Sequence, residues 1–173
     1  MPLSVNPVAT AMKSRVALIQ LLDLNLRLME AWRTAQRKLF GAPLDCETTM
    51  ILMAIIAIGA EKLVRTGDLK EFEDLSVPVD FRLLRKCNLS SIAATTGLNR
   101  EMVRRRVGKL EKSGLVVRES DGGVRIADGI LQQPEVRESV NKQLQSIAAT
   151  VDRLQKSGLL QRIPQLPERG DFA

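Results

Sequence analysis

Histidine is absent from the 173 residues. Its absence removes the commonest general base, the Ser-His and Cys-His nucleophile pairs and the commonest metal ligand. Aromatics are scarce, at 3% of the chain with one Trp (Trp32) and no Tyr. Ala, Leu, Ile and Met therefore carry the apolar content, a balance that favours helix over sheet. The two Cys, Cys46 and Cys87, fit neither a CxxC pair nor a zinc spacing, and they read as two reduced thiols. No apolar run reaches the roughly 20 residues of a membrane span. The most apolar, residues 50–60 (MILMAIIAIGA), reads as a buried helix. The opening MPLSVNPVAT lacks the basic and apolar regions of a signal peptide. A soluble, cytoplasmic chain without membrane contact is the expectation. With no Gly-rich phosphate loop and no metal spacing either, neither enzyme activity nor a cofactor or metal is expected.

What is present begins with 45% hydrophobic residues, enough for a core in one domain or in a small domain with a dimerisation arm. The net charge is +6, and it is unevenly placed. Residues 82–118 hold ten Lys/Arg against two Glu, a local +8, so the remainder sums to −2. Residues 68–80 (DLKEFEDLSVPVD) carry five acids against Lys70. Basicity confined to one segment is what a surface facing a polyanion requires.

Along the chain, Asn6-Pro7 opens a helix with a capping residue and a Pro at the first helical position. Met12, Val16, Ile19, Leu22, Leu26 and Met29 follow at spacings of three and four, and Gly41 with Pro43 stops the run. Such a helix reaches about 34 residues, roughly 50 Å. Its stripe is too long for one small domain to bury, so it needs a partner. Asp45 caps the next helix, with Glu47 in the first turn and Thr66-Gly67 at the end. The acidic 68–80 segment, interrupted by Pro78, reads as a connector whose acids could serve as internal counter-charge. Three short helical runs are expected over 81–114. Two β-prone stretches follow, 115–118 and 124–126, around an Asp121-Gly122 turn. Pro134 starts a last helix striped by Val136, Val140, Leu144, Ile147, Val151 and Leu154, which Gly158 ends. The divisions are thus 1–67 (N-terminal helices), 68–80 (connector), 81–130, 131–160 (C-terminal dimerisation helix) and 161–173 (a frayed tail).

Within 81–130, Ser90 or Ser91 caps a short helix that Gly97 ends. Leu98 fills the gap and Asn99 caps the next helix. On that second helix Val103, Val107 and Leu110 fall within about 60° of each other and face the core. Arg100, Glu101, Arg104, Arg105, Gly108 and Lys112 lie on the other faces. Arg104 and Arg105 are candidates for guanine contacts, and Asn99 and Glu101 could also meet bases. Lys109, Lys112, Arg118 and residues 82–86 would supply backbone contacts, and Arg118 or Arg125 flanks the hairpin turn. Arg106 sits about 60° off the core stripe, so its stem packs while its charge seeks solvent, a phosphate or an acid.

The string SSIAATTGLNREMVRRRVGKLEKSGLVVRESDGGVRI resembles the winged helix-turn-helix of bacterial transcriptional regulators of the MarR, GntR and IclR types. The resemblance covers about 40 residues, through Gly97-Leu98, Val103, Leu110 and Gly114-Leu115-Val116. The long flanking helices are similar in layout to the MarR arrangement. The chain departs from the pattern at Arg106, in the wing and in the 68–80 insertion, so what it resembles is a divergent winged-helix regulator. The resemblance implies a mainly α fold with a small β-hairpin wing and terminal dimerisation helices. It also implies a homodimeric, sequence-specific regulator on double-stranded DNA, with helix 99–112 in the major groove, wing 115–126 against backbone or minor groove, and a small-molecule effector as a possible further partner. The expected DNA-contact set is Ser91, Asn99, Arg100, Glu101, Arg104, Arg105, Lys109, Lys112, Arg118 and Arg125. The alternative is a winged-helix module that binds an acidic protein partner, motivated by Arg106 and by the 68–80 segment.

Overall fold

The computed structural model describes residues 2–66, 74, 77, 83–85 and 87–162. The chain is mainly helical with two small antiparallel sheets of two strands each, and it divides into two compact units. One gathers Met1–Thr34 with Ser139–Ala173, and the other holds Ala35–Glu138.

In the first unit, β1 (Leu3–Val5) pairs with β4 (Leu160–Arg162), Leu3 opposite Arg162 and Val5 opposite Leu160. Neither strand is expected from the sequence, and Gln161 and Arg162 belong to β4 instead of to a frayed tail. Strands of three residues show no usable period, and each finds its partner at the opposite end of the chain. Asn6 caps α1 (Pro7–Met12) by accepting the Ala9 N–H at 3.1 Å. The single long helix anticipated from here is interrupted at Lys13 (φ −118°, ψ 28°), and α2 runs over Ser14–Phe40. The interruption is a local kink: Lys13 N–H still bonds the Ala9 carbonyl, and Ala17 N–H bonds that of Lys13. Lys13 Nζ also donates to the Ser157 carbonyl at 2.8 Å, an interaction with the far end of the chain that no local pattern announces.

Helix α6 spans Pro134–Lys156, and Gly158 follows at φ 73°. Asp23 on α2 accepts from Arg27 at 3.0 Å and from Arg153 on α6 at 3.1 Å. Arg153 also donates to the buried Thr150 hydroxyl. The α2 face bearing Ala31 is turned inward, but the anticipated apolar stripe is not covered. Its six members are exposed, from 42% at Val16 to 81% at Met12, and Leu18, Leu144 and Ile147 enlarge the bare apolar surface.

In the second unit, Asp45 caps α3 (Cys46–Thr66) by accepting the Thr48 N–H at 2.9 Å. Periodic apolar residues bury one side of α3 through Ile51, Leu52, Ala54, Ile55 and Ile58. Against it pack α4 (Leu89–Thr96), α5 (Arg100–Lys112) and the hairpin of β2 (Val116–Arg118) with β3 (Val124–Ile126). Ile92, Val103, Val107, Leu110, Leu115, Val116 and Val124 complete this core. Cys87 forms an isolated antiparallel bridge with Val124 beside the hairpin, its carbonyl accepting the Val124 N–H at 2.7 Å. Of the acidic connector only Asp74 and Val77 are described, and Asp74 pairs with Arg137 at 3.1 Å. The rest of it, its suggested counter-charge role and the first of the three helical runs lie outside the described residues. Among the described residues no helix is long and apolar enough to cross a membrane.

The cap of α4 corrects the sequence reading. Asn88, not Ser90 or Ser91, precedes the helix, and Asn88 Oδ1 accepts the Ser91 N–H at 2.9 Å. The Ser91 hydroxyl accepts the Asn88 N–H at 3.0 Å, a reciprocal capping box. Replacing Asn88 by Ala is expected to lower unfolding stability by about 1 kcal/mol, and Ser90→Ala by under about 0.5 kcal/mol, in urea titrations. Equal losses would mean that the box is not what starts α4.

Candidate nucleic-acid interface

The pair α4–α5 is built by short-range chemistry. Gly97 ends α4 in the left-handed region (φ 69°), with its N–H on the Ala93 carbonyl. That conformation would strain any side chain bearing a Cβ. Half-buried Leu98 fills the angle between the helices, and Asn99 starts α5 by accepting the Glu101 N–H at 2.8 Å. Burial of Val103, Val107 and Leu110 then fixes which way α5 faces. At 100° per residue the opposite side carries Glu101, Arg105, Gly108 and Lys112, with Arg104 and Lys109 beside them and Arg100 at the first turn.

The structure sorts the basic residues by partner. Arg100, Arg105, Lys109 and Lys112 are exposed, and among the described residues their side chains make no hydrogen bond or ion pair. Arg104 is different: its Nε and a terminal nitrogen reach both oxygens of Glu101 at 2.9 and 2.5 Å. These bonds hold the Glu101 carboxyl below its ordinary pKa, with the charges of Arg104 and Arg105 adding to the effect. Both groups are exposed, so the pair is easily opened. It also cancels the one acid on the outward face.

Arg106 is turned the other way. Its side chain is only 18% exposed, and its two terminal nitrogens donate to Asp45, Thr48 and Glu47 at the start of α3. The reading of a packed stem with the charge on an acid is the one observed. Residue spacing could not name these partners, which lie about sixty positions away in the chain.

The hairpin contributes less positive charge than its sequence suggests. Arg125 donates to Glu119 at 2.7 Å, to Asp128 at 2.8 Å and to the Ile126 carbonyl, and is 20% exposed. Arg118 lies 3.4 Å from Glu111. The connecting loop, Glu119 to Gly123, carries two acids and no base. Ser91 is likewise committed, its hydroxyl bonded to the Asn88 backbone. Of the anticipated contact residues, Arg100, Arg105, Lys109 and Lys112 on α5 have no side-chain partner among the described residues, while Ser91, Asn99, Glu101, Arg104, Arg118 and Arg125 are engaged within the chain. Of residues 82–86, Arg85 pairs with Glu61, Leu83 and Leu84 bear no charge, and Arg82 and Lys86 lie outside the described residues.

Burial, only partly opposed by a weak contact to Ser91, raises the Cys87 thiol above its ordinary pKa, and Cys46 is exposed. Among the described residues no group of three or more Cys, Asp or Glu could hold a metal. The other unit has an open cleft of about 410 Å³ lined by Arg27, Glu30, Lys142 and Arg153 over Ala31 and Ala149. Compared with family models, curated proteins and solved structures, the chain matches none.

Gly108 has no structural reason among the described residues. Its φ is ordinary, and a Cβ placed there would meet nothing within 4 Å. Gly108→Ala is therefore expected to stabilise the chain by about 0.5–1 kcal/mol, a rise in Tm of roughly 1–4 °C. A fall in Tm would show that the glycine meets a constraint within the fold.

Proposed function

We propose that the chain is a sequence-specific DNA-binding transcriptional regulator of winged-helix type that acts as a homodimer and inserts α5 into the major groove. One observation carries this reading. Among the described residues Arg105, Lys109 and Lys112 on the outward side of α5 and Arg100 in its first turn stand without protein partners, while the chain's acids neutralise Arg104, Arg106, Arg118 and Arg125 around them. Cations left unpaired on one helix face suit a row of phosphates, and a guanidinium such as that of Arg105 can take the O6 and N7 of guanine in a bidentate contact. Gly108 adds support: it leaves that face flat where no described residue of the chain comes within 4 Å of a Cβ. Helix α4 packs against α5, and the β2–β3 hairpin that follows α5 is compatible with a wing. The acidic loop leaves the hairpin a minor role on the phosphate backbone, through Arg118 at most.

Two copies are inferred from the apolar side of the first unit. Leu18, Ile19, Leu22, Leu26 and Met29 on α2, with Leu144 and Ile147 on α6, are 40–67% exposed. Exposed apolar side chains in such number exceed the single, scattered ones of an ordinary monomer surface. Spacings of 3, 4 and 3 from Ile19 to Met29 are those of a helix seam, which an identical helix fits under two-fold symmetry. The rival reading, a module for an acidic protein, loses one of its motivations because Arg106 already has its acids.

The test is selection of bound sites from a randomised duplex pool, followed by titration over a salt series. A two-fold-symmetric motif is expected, with half-sites about one helical turn apart. The slope of log K against log salt should be about −5 if Arg100, Lys109 and Lys112 of both copies meet phosphate. Arg105→Ala should relax the preference at one base pair of each half-site, while Lys112→Ala in both copies should flatten the slope by about 2. Selection of no motif, with weak binding that these variants leave alone, would refute the DNA reading. Separately, Leu22→Lys with Leu26→Lys should give monomers in sedimentation velocity. An unchanged dimer would place the interface elsewhere.

A further inference from the structure

We propose that Arg106 is the positioning residue of the DNA-reading helix: by clamping α5 to the start of α3, it makes base discrimination possible without itself touching DNA. The inference rests on the DNA reading and deepens it.

The apolar contact of α5 is narrow. Val103, Val107 and Leu110 span about 60° of the helix circumference and set which side of α5 faces the core, but apolar burial is non-directional and leaves the finer rotation of α5 about its axis to polar contacts. Arg106 lies at the edge of that stripe and supplies direction. One terminal nitrogen donates to Asp45 Oδ2 and, at 2.8 Å, to the Thr48 hydroxyl; the other donates to Glu47 Oε2. The acceptors are themselves fixed. Asp45 Oδ1 holds the Thr48 N–H and Oδ2 accepts the Thr48 hydroxyl, both at 2.9 Å, so the residue that caps α3 is also the seat of the clamp. Burial alone would raise the Asp45 carboxyl, but the bonds from Thr48 and Arg106 outweigh it and hold the group ionised below the ordinary range. A planar fork on two carboxylates and a hydroxyl resists rotation in a way that a lysine ammonium on the same stem would not.

The clamp also leaves Arg106 Nε buried with no partner among the described residues, a local cost of holding the guanidinium in this orientation. Its effect falls on geometry. Bidentate base contacts fail when a side chain is displaced by about 1 Å, whereas attraction to phosphates tolerates such shifts. Loosening α5 should therefore reduce selectivity and spare non-specific affinity.

The experiment compares the full-length wild-type chain with Arg106→Lys, Arg106→Met and the acceptor-side double variant Asp45→Asn/Glu47→Gln. Kd is measured for the selected site and for a scrambled duplex, with the salt slope and Tm recorded for each. Each variant should lose about tenfold or more in the ratio of the two Kd values, keep the scrambled-duplex Kd within about twofold and keep the wild-type slope. The double variant carries the most weight, since neither Asp45 nor Glu47 is on the outward face of α5. A lower Tm with unchanged selectivity would reduce Arg106 to a purely structural role and overturn the inference. A slope flattened by about 2 per dimer would place Arg106 on phosphate and overturn it as well. A wild-type chain that selects no sequence would instead refute the DNA reading, and this inference with it.

Discussion

Burial of one side of α3 is the constraint on which the second unit depends. Ile51 and Ile55 are almost wholly removed from solvent, and Ile92, Val103, Val107 and Leu110 are buried with them in one cluster. Each such side chain contributes about 1.5–3 kcal/mol on leaving water, so together they outweigh any single polar contact in the unit. With aromatics so few, this core is assembled from branched aliphatic residues whose shapes interlock between helices. The turn at Gly97 and the caps at Asn88 and Asn99 set where α4 and α5 begin and end. The apolar side of α3 decides how they lie.

Once α5 is oriented by that core, its charges divide. Residues opposite Val103, Val107 and Leu110 meet no described element of the unit, so Arg105, Lys109 and Lys112 are exposed to solvent. Arg106, near the edge of the core, comes within reach of Asp45 and Glu47 at the start of α3. Negative side chains there already suit the helix dipole, so one pair of acids both favours the end of α3 and holds a cation of α5. The same division explains why a strongly basic segment does not present all of its charge outward.

The first unit follows a different balance. Its strand pair joins the two ends of the chain, and Asp23 ties α2 to α6 through Arg153. Yet the stripe through Ile19, Leu22, Leu26 and Met29 stays in contact with water. Two helices and a short sheet cannot surround a helix with apolar residues on more than one side.

Much of this was legible in the sequence. Asn6-Pro7, Asp45, Gly97, Asn99, Pro134 and Gly158 mark helix ends by local chemistry. The spacing of Val103, Val107 and Leu110 names the buried side of α5, and the Asp121-Gly122 turn marks the hairpin. These features depend on neighbours within a few positions, where side-chain type and helix period are decisive. The cap of α4 could have been assigned as well, from Asn88 and Ser91 three residues apart. Only the tertiary structure decided that Arg106 meets Asp45 and Glu47, that Arg125 is enclosed by Glu119 and Asp128, that Lys13 bonds the end of α6 and that residues 3–5 pair with residues 160–162. Apart from the Arg125 pairs, these contacts join residues tens to more than a hundred positions apart. Composition and period place a charge on a face, but which acid reaches it depends on how the helices pack.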